Sequence, residues 1–175
     1  GSYFSRMRKH PAWRTKNSVA WDVSVQGARE MNSLCIANPN IYYFSYVTSN
    51  TILDSTSNRH VPDKNMSYII RANARLMGMK KAYYSDGSET DSTWFENDGI
   101  VNKKSMLGPT TGINGSDPIS NYRINDILIP GQWYVMGEYK SDHRKFVGHS
   151  IRKEKFEELI KIYVEHLLLL WTLPK

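Results

Sequence analysis

The stretch "NIYYFSYVT", residues 40–48, limits the fold more than any other part of the chain. Its aromatic and β-branched residues follow one another without alternating with polar ones. A strand of that kind needs cover on both of its faces, the situation of a sheet with helices on either side. A second strand is predicted over "GQWYVMGEYK", residues 131–140. The segments between and around them carry helical periods. Ser24 can cap a helix on which Ala28, Met31, Leu34 and Cys35 share a face, and Asn38-Pro39 ends it. Residues 65–79 read as helical in part. Over Arg152–Leu170, Phe156, Leu159, Ile160, Tyr163, Val164 and Leu167 recur at helical spacing, with Glu and Lys on the other side. Strands alternating with helices predict an α/β fold. Residues 50–65, 85–93 and 108–122 are rich in polar and turn-forming residues and read as loops.

The chain has 175 residues, the size of one domain, and its five Trp, eleven Tyr and five Phe suffice for a real core. A single cysteine, Cys35, excludes an internal disulfide and any cysteine-rich zinc site. The net charge of +6 is scattered along the chain and no nucleic-acid motif accompanies it, so no nucleic-acid partner is expected. An anionic lipid surface would suit the charge as well. No signal-peptide pattern opens the sequence, and the longest apolar run, Leu167–Trp171, is too short to cross a bilayer. The chain does not begin with Met, which is expected of a segment inside a longer protein.

The chemical candidates lie beyond the strands. His143, in "KSDHRKF", follows the second strand, and α/β proteins place their chemistry on the loops past the carboxyl ends of strands. A histidine there can equally be an exposed loop residue, and His149 is a second choice. His166 falls within the last helix, and His10 and His60 sit in polar surroundings without an evident role. Asp98, in "TWFENDGIV", stands at an acidic turn 45 residues before His143. A carboxylate before a histidine is the order of the acid and base of an α/β-hydrolase, in which the acid fixes the imidazole tautomer. Asp142 adjoins His143, but neighbouring side chains point apart, so Asp98 is the better orienter. The spacing alone leaves the pairing open. No G-x-S-x-G elbow is present; "GHSIR", residues 148–152, lacks the second glycine and follows the histidine. No H-E-x-x-H, phosphate-binding loop or G-x-G-x-x-G occurs either.

Several stretches taken together are more specific. "HPAW", "AWDVSVQGA", "NPNIYYFSYVT", "KNMSYIIRANARLMG", "WFENDGIVNKKSMLGP", "QWYVMGEYKSDHRKFVG" and "IYVEHLLLL" resemble, in order and across nearly the whole chain, the C-terminal half of the true lipases of staphylococci and thermophilic bacilli, secreted enzymes of α/β-hydrolase fold. The resemblance implies the C-terminal half of such a fold, incomplete as a domain: a mostly parallel sheet with flanking helices. It implies that Asp98 and His143 are the acid and histidine of a Ser-Asp-His triad that hydrolyses lipid esters. The nucleophile would lie upstream, in an N-terminal half serving as partner, and the chain alone would be inactive. Residues 3–20 would be the end of a lid region and a connector. Asp22 would be one zinc ligand, with the others upstream. The calcium ligands of such lipases follow the catalytic histidine; Lys145 and Ser150 hold those positions here, so the calcium site is expected to be lost. The stretch 108–130 is longer than the resemblance leads one to expect. The competing class is a non-catalytic lipase-like module that binds a lipid surface or a partner protein.

Overall fold

The structure is a computed structural model that describes residues 15–16, 19–110, 115–149, 151 and 153–174. Most of the predicted lid end, residues 3–20, lies outside the described residues, as does Ser150. In chain order the elements are α1 (Val19–Asp22), α2 (Val25–Leu34), β1 (Tyr43–Thr48), β2 (Thr51–Asp54), β3 (Arg59–Pro62), α3 (Arg71–Met77), α4 (Lys103–Met106), β4 (Ile119–Asn121), β5 (Trp133–Tyr139), α5 (His143–Phe146) and α6 (Lys153–Thr172). Single 3-10 turns occupy Tyr68–Ile70 and Ser92–Trp94.

The two strands expected from the sequence lie side by side. β1 and β5 pair in parallel, β4 joins the far side of β5 in parallel, and the order is β1-β5-β4. The α/β class read from the sequence is the class observed. Cross-strand pairs tighten the sheet: Tyr43 stacks on Trp133 at 4.8 Å between ring centroids. Gly137, at φ +147, sits where the β1–β5 register slips past Ser45 and Tyr46.

The chain differs from the sequence reading between β1 and α3. Residues 50–65 are not an open loop. They hold an antiparallel hairpin in which Thr51–Asp54 pairs with Arg59–Pro62. Its turn is polar, and the Asp54 carboxylate accepts from Ser57 Oγ at 2.6 Å and from Thr56 N at 3.1 Å. The segment 108–122, also read as a loop, contains the edge strand β4, and the short helix α4 precedes it.

Ser24 caps α2 as expected, its hydroxyl accepting from Gly27 N at 3.0 Å. Val47, Tyr134, Val135 and Leu159 are buried; Tyr134 lies beside Phe44, on the face of the sheet that meets α6 at His166. Met66, Ile70 and Ala74 form a hydrophobic cluster at α3. α6 departs from its predicted pattern. Of the apolar stripe read from the sequence only Leu159 is buried; Phe156, Ile160, Tyr163, Val164 and Leu167 are exposed. Three strands offer too little surface for a 20-residue helix that is apolar around much of its girth.

Candidate active site

Asp98 lies in a loop built around its neighbour. Asn97 is fully buried and spends its side chain on the backbone: Nδ2 donates to Phe95 O at 2.8 Å and Ala74 O at 3.2 Å, and Oδ1 accepts from Gly99 N at 2.9 Å. Gly99 is required twice over. Its φ of +97 is left-handed, and a Cβ there would fall 2.7 Å from Ile70 Cδ1. The turn read from "ENDG" is therefore locked from both sides.

The Asp98 carboxylate is fully buried and accepts four hydrogen bonds. Oδ1 takes Ile100 N at 2.9 Å and Val101 N at 2.8 Å. Oδ2 takes Thr48 Oγ1 at 2.8 Å and His143 Nδ1 at 2.9 Å. A buried carboxylate is costly unless its lone pairs are met, and here the lone pairs are met without a lysine or arginine. The backbone repeats the contact, with His143 N donating to Asp98 O at 3.1 Å.

His143 lies past the carboxyl end of β5, as expected from the sequence, but it opens the short helix α5 rather than sitting on a loop. Its side chain is 41% exposed, and Nδ1 is engaged by a carboxylate that can only accept. The proton of the neutral ring therefore sits on Nδ1 and the lone pair on Nε2. Among the described residues none takes up Nε2. The arrangement is a general base held at one nitrogen and open at the other.

Asp142 does not share in that contact. It points away from the imidazole, as adjacency suggested, and caps α5 by accepting from Lys145 N at 3.1 Å. It also meets Ser67, whose N donates to Oδ2 at 2.8 Å and whose Oγ lies 3.0 Å from the same oxygen. Two contributors were not read from the sequence. Thr48, at the end of β1, reaches Asp98 across fifty positions, and no local pattern marks it. Ser67 lies in the segment 65–79, read only as helical in part, and precedes its 3-10 turn.

The remaining candidates fall elsewhere. His149 is engaged by Arg144 Nη2, 2.9 Å from Nδ1. His60 Nδ1 lies 3.2 Å from Thr51 Oγ1 in the hairpin, and burial holds its pKa below 6.5. His166 packs edge-on to Phe44 and Tyr46. His10 lies outside the described residues. Asp22, the last residue of α1, is exposed. Among the described residues no cluster of three or more His, Cys, Asp or Glu could hold a metal ion.

The chain is similar to known proteins in sequence and in fold. The family described as "Lipase-like, C-terminal domain" matches residues 2–169. A lipase of Staphylococcus hyicus is 27% identical over 164 residues, covering 92% of this chain and 23% of the relative. Lipase 1 of Staphylococcus aureus strain Mu50 is 28% identical over 151 residues, 85% of this chain and 20% of the relative. The chain thus spans about a fifth of the length of these curated relatives. Among solved structures, EstA from Clostridium botulinum superposes with a TM-score of 0.72 at 33% identity, over 83% of this chain and 34% of that one. Staphylococcus hyicus lipase gives a TM-score of 0.68 at 24% identity, over 93% of this chain and 40% of that one, a likeness of fold. The fold is a partial α/β fold of the lipase type, and the chain belongs to the lipase-like C-terminal domain family.

Proposed function

We propose that this chain supplies the acid and the base of a serine esterase acting on lipid esters, with the nucleophile contributed by an N-terminal half. The carrying observation is the 2.9 Å contact between His143 Nδ1 and the buried, fully hydrogen-bonded carboxylate of Asp98. In this reading His143 Nε2 takes the proton of a serine hydroxyl as its oxygen adds to the ester carbonyl. The imidazolium then gives that proton to the departing alcohol, which leaves an acyl-enzyme. Water, deprotonated by the same nitrogen, releases the acid. Asp98 stays ionised throughout, holding the tautomer and offsetting the charge on the ring. Tyr68, Ile69, Ile100 and Val147 are exposed and adjoin Ser67, Gly99 and α5 in the chain, apolar surface of the kind an acyl ester calls for.

Two further parts of the reading follow from the family. Asp22 would be one ligand of a zinc site of two His and two Asp; its carboxylate is exposed, carboxylate oxygen is a zinc ligand, and the other three would come from outside this chain. Release outside the cell agrees with the resemblance.

The test is intact-mass analysis of the polypeptide as its gene encodes it, after reaction with a fluorophosphonate. One labelled serine outside residues 1–175 is expected, with labelling suppressed in Asp98→Asn. A protein that neither labels nor hydrolyses esters would instead be a non-catalytic module, and its binding to lipid vesicles or to a partner protein would become the question.

A further inference from the structure

We propose that Lys145 is a positioning residue for His143, a built-in cation that holds the first turn of α5 against residues 63–67 without a metal ion. Three successive carbonyls of that segment are each taken by a side-chain cation. Arg71 donates to Lys64 O and, through Nε, to Met66 O at 3.0 Å. The carbonyl between them, Asn65 O, accepts from Lys145 Nζ. The same ammonium lies 3.6 Å from Oδ2 of the buried Asp142. Asp142 in turn holds Ser67 N at 2.8 Å and Lys145 N at 3.1 Å. Lys140, 3.4 Å from Asp63, ties down the start of the segment.

The consequence follows from covalent geometry. Asp142 and Lys145 flank His143 by one and two positions, so fixing both fixes the backbone from which the imidazole reaches Asp98. Removing one partner of a buried charge leaves the other without its compensation, and Asp142 is fully buried. A bound divalent ion could perform this coupling. Calcium seeks hard oxygen ligands, and the lipases this chain resembles draw such carboxylates from just after the histidine. Here that position carries an ammonium already seated on Asn65 O and beside Asp142. A second cation would meet like charge, so the residues present do not fit calcium.

The rate arm of the test rests on the proposed function; the spectroscopic arm does not. In the polypeptide as its gene encodes it, Lys145→Met keeps the stem and removes the charge. The expected result is a fall of about tenfold in kcat for a short-chain ester with KM unchanged, as befits a misplaced base. The downfield proton resonance of His143 Nδ1 should broaden or vanish, Lys145→Arg should restore both readouts, and neither chelator nor added calcium should alter the parent protein. If the parent does not hydrolyse esters but Lys145→Met still loses the Nδ1 resonance, the positioning role stands and the triad reading falls. An unchanged resonance and kcat in Lys145→Met would overturn the proposal. So would a parent protein whose kcat collapses in chelator and returns with calcium.

Discussion

The loop around Asp98 and the helix α6 spend their buried surface in opposite ways. Around Asp98 the burial is polar. Asn97, Asp98 and Asp142 are fully enclosed, and each has partners at hydrogen-bond distance. Along α6 the surface is apolar and open. Leu159 is 5% exposed, whereas Leu167 is 64% and Trp171 80% exposed. Polar groups buried with every partner in place fix one geometry, because each alternative leaves a charge or an amide unmet. An apolar helix laid on a small sheet is held by area alone, which many nearby placements satisfy. The first region is built to define a position; the second awaits more surface.

The largest effect should come from breaking the polar region at its centre. Asp98→Asn keeps the shape but turns a pure acceptor into a group that can donate to Nδ1, which favours the wrong tautomer. Loss of about 10⁴-fold in kcat is expected in the complete polypeptide, with substrate binding retained. Steady-state kinetics on a soluble ester measures it, and a loss of tenfold or less would mean that Asp98 is only a structural cap.

Next comes the contrast within α6. Leu159→Ala should destabilise by about 2–5 kcal/mol in urea denaturation, the range for a buried leucine. Leu167→Ala, on a side chain already in water, should stay within about 0.5 kcal/mol. A Leu167→Ala loss as large as that at Leu159 would break the comparison, because it would mean that another segment of the polypeptide covers the helix.

A smaller change tests whether the polar region depends on all of its members. Thr48→Val preserves the shape at a buried position and removes the 2.8 Å hydrogen bond to Asp98 Oδ2. A hydrogen bond to a charged group contributes about 1.5–3 kcal/mol, so a stability loss of that size is expected. The Asp98–His143 contact should loosen with it, visible as faster solvent exchange of the Nδ1 proton. Unchanged stability and exchange would show that the two backbone amides suffice.

How much of this was legible beforehand follows from where the information sits. β1, β5, α2 and α6 could be read because each is written in consecutive residues, as an apolar run, a capping serine or a period of 3.6. The hairpin β2–β3 could not. Ile52, Leu53 and Val61 are all exposed, so no inward face was written into it, and its polar turn looked like loop. Asn58, at φ 51, takes the left-handed turn conformation that asparagine tolerates, and this was the available clue. At the site, the order of Asp98 and His143 made the pair worth considering, and the resemblance chose it. The direction of Asp142 was legible from adjacency alone. Thr48, Ser67 and the contact of Lys145 with Asn65 were not, since each joins residues fifty or more positions apart and exists only once the chain has folded.

The smallest expected effect concerns a polar group that α6 buries without a hydrogen-bond partner. His166 stands edge-on to Phe44 and Tyr46, and its Nδ1 is buried without a hydrogen-bond partner among the described residues. Burial holds its pKa below the ordinary 6.5. The fold therefore favours the neutral ring, while the unfolded chain takes up its proton first as the pH falls. The contribution of His166 is complete above 6.5 and is lost as the pH drops through the folded-state value. Tyr46, raised to about 12, stays neutral across that window and cannot compensate. His60 is depressed by burial too and adds a slope of the same sign. The carboxylates held below 3.8, Asp54, Asp63, Asp86 and Asp91, act only at lower pH. His166→Phe should therefore flatten part of the decline in urea midpoint between about pH 7 and 5 and leave the part due to His60. An unaltered slope would mean that α6 shifts on the sheet when the ring is charged and lets water reach it. The weak definition of the apolar region would then appear as tolerance to a buried charge, which the loop around Asp98 has no freedom to show.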